Sequence, residues 1–399
     1  MKRTKRLREV CRVVPGFAFK STQLGETGIP VVKIGSITEA GNVDLVNGQF
    51  LPLEQLEDRH RKYFLTQGDI VMAMTGEGKV GRITDHQESL LNQRVCRLDP
   101  IDEADRAYLW VVVKSMDYSR LFAQLAQGAA QANISGGQIE ALSVEWPEPD
   151  VREKIADVAL AYDDLIENNR RRIALLEQSA RLLYREWFVH LRFPGHEHVN
   201  VVDGVPEGWI KSPIRSRFKT VLGGTPSRKR VEYWEGGTIP WINSGMVNEV
   251  RIAMPSELIT PLALAESAAK MMPTKTTVLA ITGATLGQVS MLEIECAANQ
   301  SVVGVIDESG MLAEYIYLAL KDRAKELIGL GTGGAQVHIN KDIVNAFEVV
   351  LPDDGIAREF KGFVGPLFSQ VACLLMTNLR LERARDLLLP RLMNGDLVI

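Results

Sequence analysis

The segment "GGTPSRKRVEYWEGGTIPWINSGM" (223–246) sets glycines, three consecutive cations and three aromatics around turns. Such a composition can cradle a phosphate, meet a base edge or brace a hairpin. Other stretches offer enzyme chemistry but fail on context. "GLGTGG" (329–334) has G-x-G-x-x-G spacing, yet it follows a helical pattern and precedes a strand-like one, the reverse of a dinucleotide-binding turn. "GEGKVG" (76–81) lacks the G-x-x-x-x-G-K-[ST] of a phosphate loop, and "HEH" (196–198) is not the H-E-x-x-H of a zinc helix but a solvated turn. The four cysteines, Cys11, Cys96, Cys296 and Cys373, form no C-x-x-C pair, so reduced thiols are expected and neither a disulfide framework nor a zinc site. The six histidines belong to no Ser/His/Asp arrangement, and the Asn/Asp-Pro-Pro-aromatic motif with which base methyltransferases hold a target amine is missing. The inventory favours binding over reaction.

With 399 residues, 46% hydrophobic and 24% charged, the chain is long and apolar enough for two or more domains. No run approaching eighteen apolar residues is evident, and the reading is cytoplasmic with no membrane partner. The net charge of −4 argues against indiscriminate coating of nucleic acid, but the cations are bunched. Seven Lys/Arg and one acid lie between Lys2 and Lys20, and seven with no acid between Lys211 and Arg230. These two segments open the halves of an internal repeat. "GIPVVKIGSI" (28–37) is echoed by "TIPWINSGM" (238–246), and "GDIVMAMTGEGKVGRI" (68–83) by "TTVLAITGATLGQVS" (276–290). "LNQRVCRLDP" (91–100) and "AQANISGGQIEALSVEWP" (130–147) recur in the same order as "AANQSVVGVID" (297–307) and "AQVHINKDIVNAFEVVLP" (335–352). A period this long repeats a whole domain with an appendage, not a solenoid unit.

The first part of each repeat reads as mixed α/β. Short apolar runs such as "DIVMAM", "TVLAIT" and "SVVGVI" are bounded by Gly, Asn and Pro, and helices are predicted over "DEADRAYLWVVVKSMDYSRLFAQLA" and "AEYIYLALKDRAKELI". The appendages are long helices. Ile155, Ala159, Tyr162, Ile166, Asn169, Ile173, Leu176, Ala180, Leu183 and Trp187 recur at steps of four and three, a heptad seam. Phe360, Val364, Leu367, Val371, Leu374, Asn378, Leu381, Arg385, Leu388 and Leu392 repeat it, with Arg385 free to snorkel outward. Each seam carries one Asn, one step out of phase. A parallel pair would set each amide against hydrocarbon, whereas an antiparallel pair brings Asn169 to Asn378. The expected architecture is therefore two similar globular α/β (α+β) domains with mixed β-sheets, separated by two long helices in an antiparallel coiled coil with pseudo-twofold symmetry. Its boundaries are a first domain 1–150, a helical spacer 151–193, a linker and second domain 194–355, and a second spacer 356–399. A seam from Ile155 to Trp187 spans about 50 Å at 1.5 Å per residue, a little more than one turn of B-DNA at about 34–36 Å.

Taken in order and twice over, the opening motif, the "NQ" after a strand (Asn92-Gln93, Asn299-Gln300), the segments "AAQANIS" and "GAQVHIN", and the helices "LIENNRRRIALLEQSARLLYREWF" and "LRLERARDLLLPRLMNGDL" resemble the specificity subunit of Type I restriction-modification enzymes. The resemblance covers nearly the whole chain. It implies two target-recognition domains that each read half of a split site in double-stranded DNA, and a helical ruler between them. It also implies docking of two modification (methyltransferase) subunits and of restriction subunits. The chain itself would need no cofactor, and S-adenosylmethionine and ATP would belong to the partners. On physical grounds, Lys20, Thr225, Ser227, Arg228, Lys229 and Arg230 suit phosphate contacts. Thr75, Lys79, Arg82, Asn243, Ser244, Thr282, Thr285 and Gln288 suit base edges, while Tyr233, Trp234 and Trp241 brace the turn. A specificity subunit of a methylase without restriction partners, and a self-sufficient DNA-modifying enzyme, remain the alternatives.

Overall fold

The computed structural model describes residues 4–38, 41–75, 78–116, 134–331 and 338–397. Parts of "AAQANIS", "GAQVHIN" and "GLGTGG", and the predicted helix beyond Met116, lie outside the described residues. The chain divides into two compact units, Met1–Ile166 with Leu381–Ile399, and Glu167–Arg380. These limits differ from the expected linear domains because each long helix gives residues to both units.

The strands of the first unit are β1 (Thr4–Arg6), β2 (Cys11–Pro15), β3 (Ile29–Val32), β4 (Gln49–Leu51), β5 (Phe64–Leu65), β6 (Ile70–Ala73), β7 (Val80–Arg82), β8 (Ser89–Leu91), β9 (Val95–Pro100) and β10 (Ser143–Glu145). They form sheets of order β2-β9-β6-β7 and β4-β3-β8-β5, and a β1-β10 pair. The second unit opens with a hairpin of β11 (Val201–Val202) and β12 (Val205–Pro206). It continues with β13 (Ile210–Pro213), β14 (Lys219–Leu222), β15 (Ile239–Ile242), β16 (Arg251–Ile252), β17 (Glu257–Ile259) and β18 (Met271–Met272). Then follow β19 (Thr277–Ala280), β20 (Val289–Leu292), β21 (Cys296–Ala298), β22 (Val302–Ile306) and β23 (Glu348–Leu351). Its sheets run β14-β22-β19-β20-β16 and β17-β15-β21-β18, with a β13-β23 pair. Matched through the sequence repeat, the two orders are the same, β16 being an added edge. The inner pairs of β4-β3-β8-β5 and β17-β15-β21-β18 are parallel, with Val31 opposite Leu90 in one and Trp241 opposite Ala297 in the other. Strand β22 is buried along its whole length, which accounts for its unbroken apolar run.

One helix fills each core. Arg106–Ser115 buries every residue from Tyr108 to Val113, and Ala313–Asp322 every residue from Ala313 to Leu320. Equivalent tyrosines tie these helices to the strand before each long helix: the Tyr108 hydroxyl donates to the Glu145 carbonyl at 3.2 Å, and the Tyr315 hydroxyl to that of Val350. The helix expected over "AEYIYLALKDRAKELI" is two, broken at Arg323. That residue leaves helical geometry and donates from Nη1 to the Glu348 carbonyl at 2.7 Å.

The long helices run Pro149–Tyr184, continued by a π turn at Arg185–Val189, and Asp354–Met393. Proline and Asp150 open the first, both suited to a first turn. The Asp353 carboxylate caps the second by accepting from the amides of Gly355 (2.8 Å) and Ile356 (3.1 Å). Pro366, inside that helix, leaves the Gly362 carbonyl without its helical donor, which water can supply because Gly362 is exposed. Every seam position is buried or half-buried. In the second unit Ile173 clusters with Val371 and Leu374, the Trp187 and Phe360 rings lie 5.6 Å apart, and Asn169 Nδ2 donates to Asn378 Oδ1 at 2.8 Å. In the first, Ile155 and Ala159 share a core with Leu389 and Leu392. Within each unit the two helices therefore pack antiparallel.

Two expectations are corrected. Arg385 does not snorkel out: its side chain is 13% exposed and its Nη1 donates to Asp163 Oδ1 at 2.7 Å, an acid one step off the seam that the heptad pattern does not display. The helix Asp354–Met393 does contain an 18-residue window of mean hydropathy 1.4, apolar and long enough to cross a bilayer by length and composition. Interspersed Gly, Pro, Ser and Asn disguise it as a broken run. In the fold its Phe360, Val364, Phe368, Val371 and Leu374 are buried.

Candidate nucleic-acid interface

The glycines of "GGTP" are required by a close backbone crossing. A Cβ on Gly223 would stand 2.1 Å from the Asn299 carbonyl oxygen, and one on Gly16, in the first half, 2.0 Å from that of Asn92. Two motifs that lie far apart in sequence are thus one structure: the opening segment crosses the "NQ" turn. The amide of Gly224 donates to the Ala298 carbonyl at 2.8 Å, and the Thr225 hydroxyl meets the Gln300 side chain. The turn itself leaves the end of a parallel strand, where the Asn299 amide donates to the Ile242 carbonyl at 3.0 Å. The Asn92 amide does the same to Val32 at 3.1 Å in the first half.

Asn243 follows β15 at this edge. Its Oδ1 accepts from the Gly245 amide at 2.8 Å, and its own amide donates to Ser256 Oγ at 2.8 Å, which fixes the turn. The short helix it caps, Ser244–Asn248, packs on Gly283–Thr285 in the turn between β19 and β20. Thr225, Asn243, Ser244, Thr282 and Thr285 therefore gather on one edge of the second unit, with Gln288 exposed at the end of the same turn. Gln300 joins them, and in the first half Lys33 and Gln93 hold the places of Asn243 and Gln300, with the exposed Arg94 next in the chain. In the sequence the "NQ" motif marks the two glutamines, while Lys33 and Arg94 carry no signal as contact residues.

The basic segment departs most from expectation. Arg228 forks onto Glu257 with two bonds of 2.6 Å and stacks 3.5 Å from the centre of the Trp234 ring. Arg230 bonds Glu232 and Glu266, each at 2.7 Å, over the Tyr233 ring. Lys211 pairs with Glu348 (3.0 Å), Arg217 with Asp307 (3.3 Å) and Lys219 with Glu308 (3.2 Å). Among the described residues only Arg215 and Lys229 of this run make no ion pair. Hydrogen bonds from Arg228 hold the Glu257 carboxyl below its ordinary value of 4.5, and those from Arg230 do the same for Glu266. Trp241 is 2% exposed and packs edge-on to Trp234 at 5.3 Å, so both serve as the brace expected. Ser227 is exposed, and its carbonyl accepts from Trp234 Nε1 at 3.2 Å.

In the first half the segment between β6 and β7 carries Thr75 and Lys79, and Arg82 is the last residue of β7. Thr75 is 9% exposed. Lys79 is half-buried and lines a cleft with Trp110, Lys114 and Asp163. Arg82 is turned toward the first long helix, where Nη2 donates to Asp164 Oδ1 at 3.3 Å. Lys20 is exposed, and its amide donates to Gln23 Oε1 at 3.1 Å.

Fold and site define a duplicated recognition protein, two copies of one α/β domain presenting equivalent polar edges and joined to long helices. A family model described as the Type I restriction modification DNA specificity domain matches residues 2–178 and 206–359, and the chain belongs to that family of non-catalytic DNA-recognition subunits. It is 26% identical over 335 residues to the Type I restriction enzyme MjaIX specificity subunit of Methanocaldococcus jannaschii, covering 81% of this chain and 77% of the relative. To the HindI specificity subunit of Haemophilus influenzae it is 25% identical over 430 residues, covering 89% and 93%. The crystal structure of a Type I restriction-modification S subunit from M. genitalium superposes with a TM-score of 0.58 over 98% of this chain and 96% of that one, at 14% identity, a likeness of fold.

Proposed function

We propose that this chain reads a bipartite site in double-stranded DNA, one half-site per globular domain, and that the long helices set the distance between half-sites. The observation that carries this reading is the duplication of the whole domain, down to the same sheet order and the same crossing of Gly16 over Asn92 and Gly223 over Asn299. Two equivalent edges imply two equivalent binding events. In the second half Asn243, Ser244, Thr282, Thr285, Gln288 and Gln300 face bases, while Lys229, Ser227 and Thr225 meet phosphates. In the first half Lys33, Gln93 and Arg94 take the place of Thr75 and Arg82, and Lys20 meets phosphate. The antiparallel helices, with the Asn169–Asn378 bond fixing their register, form the coiled-coil ruler and the docking surface for two modification subunits and for restriction subunits. S-adenosylmethionine and ATP act in those partners, in the cytoplasm, and no membrane is involved.

Mapping methylated adenines in DNA from cells that express this chain with a modification subunit tests the reading. Two fixed half-sites separated by a constant, unread spacer are expected. A continuous site, or methylation that does not change when this chain is exchanged, would overturn it.

A further inference from the structure

One arrangement of aromatic, cation and carboxylate occurs in both halves where the core helix meets the first long helix. Trp110 and Lys114 of the first core helix recur, at the same offset, as Tyr317 and Lys321 of the second. In the first unit Asp163 accepts from Trp110 Nε1 at 3.0 Å, from Lys114 Nζ at 2.9 Å and from Arg385 Nη1 at 2.7 Å, while the Arg82 guanidinium stands 6.0 Å over the Trp110 ring. In the second unit Glu177 accepts from the Tyr317 hydroxyl at 3.2 Å and from Arg251 Nε at 2.6 Å. The Arg251 guanidinium lies 4.6 Å from the centre of the Tyr317 ring and 3.9 Å from that of Phe368, and Lys321 Nζ donates to the Tyr317 oxygen at 2.6 Å. Asp163 and Glu177 both belong to the helix Pro149–Tyr184, two heptads apart.

These clusters are poor devices for stability. The Arg251 side chain is fully covered, and its Nη2 finds no acceptor. Apolar groups in place of Arg251 and its two carboxylate partners together would fill that site without the desolvation cost, as exchanges of whole buried ion pairs show. What directional, charge-assisted bonds supply in its place is a single permitted geometry. We infer that Arg251 with Glu177, and Trp110 with Asp163, are positioning locks that hold each reading domain at one angle on the long helices and so fix the phase in which its half-site is met. This rests on the ruler reading given above.

The test uses the full chain, as wild type, Arg251→Met and Asp163→Asn. Each binds duplexes carrying the mapped half-sites at the native spacer, at one base pair more and at one base pair less, and duplexes with a substituted half-site base. Thermal unfolding is followed in parallel. The locks predict that each variant keeps its discrimination against the substituted base, while its preference for the native spacer falls by about tenfold, the scale of one mismatch. Arg251→Met leaves the Glu177 and Glu293 carboxylates without their cation and should unfold earlier than wild type, so its binding is read below the onset of its unfolding transition. If wild type discriminates between spacers and both variants do so equally well, the locks are overturned and the ruler stands. Loss of spacer and base discrimination together, with earlier unfolding, would reduce them to ordinary structural contacts and also overturn the proposal. A wild-type chain indifferent to spacer length overturns the ruler and the locks with it. Should Arg251→Met fail to fold, Asp163→Asn decides alone.

Discussion

Arg228 is exposed yet paired, and that combination has a consequence for binding. An exposed ion pair contributes about 0–1 kcal/mol, so a DNA phosphate can replace Glu257 at small cost, with the Trp234 ring keeping the guanidinium in place. Glu257→Gln is expected to raise affinity for duplex DNA and to steepen the dependence of log K on log salt by about one unit, as for one added phosphate contact. A salt titration of the two proteins side by side measures both effects. Because the Glu257 carboxyl is held below its ordinary value of 4.5, the pair is complete above that pH and opens only as pH falls through the lowered value. Binding should therefore show no step from this pair between pH 6 and 8. The thiols give a second check at this scale. Burial pushes Cys11, Cys96 and Cys296 up to about 12, while Cys373 is exposed. Titration with a thiol reagent at neutral pH should count one thiol in the native chain and four after denaturation.

At the scale of elements, the long helices are held by a mostly apolar seam interrupted by polar contacts that meet each other. The Asn169 and Asn378 side chains are 3% and 6% exposed, and their mutual bond of 2.8 Å is made away from water. Asn169→Leu alone removes the donor to the buried Asn378 Oδ1 and is expected to destabilise the chain by about 1–3 kcal/mol. Asn169→Leu with Asn378→Leu restores that loss, since two leucines can pack where two amides bonded. Denaturant unfolding of both singles and the double closes the cycle, and an additive double would show that the two do not interact. A larger loss follows where a carboxylate is removed from a covered cation. Glu177→Ala leaves Arg251 with a partner 3.3 Å away in Glu293 and an unbonded Nη2, and is expected to cost about 3–5 kcal/mol.

For the whole molecule, the ruler makes a geometric prediction. Adding four residues to both long helices lengthens each by about one turn, or roughly 6 Å, near two base pairs at 3.4 Å each. Methylation mapping should then return the same half-sites with a longer spacer. An unchanged spacer would separate half-site distance from helix length. The repeat, the strands, the two long helices and the phase of their asparagines were legible in the sequence because each depends on local periodicity or on likeness between segments. The break at Arg323 was not, since it follows from a contact with Glu348 in a distant strand. The bilayer-length window of the second helix is hidden for a different reason: Gly, Pro, Ser and Asn interrupt its apolar run. The candidate site was half legible. Asn243, Ser244, Thr282 and Thr285 were found from residue type and turn context, and the fold sets them on one edge. Only the tertiary structure decided that "GG" and "NQ" are one crossing, that Thr75 is covered, and that most cations of the basic segment are already paired. Pairing is a matter of distance in space. The acids concerned, from Glu232 to Glu348, come from strands, short helices and loops that the linear run of charge does not contain.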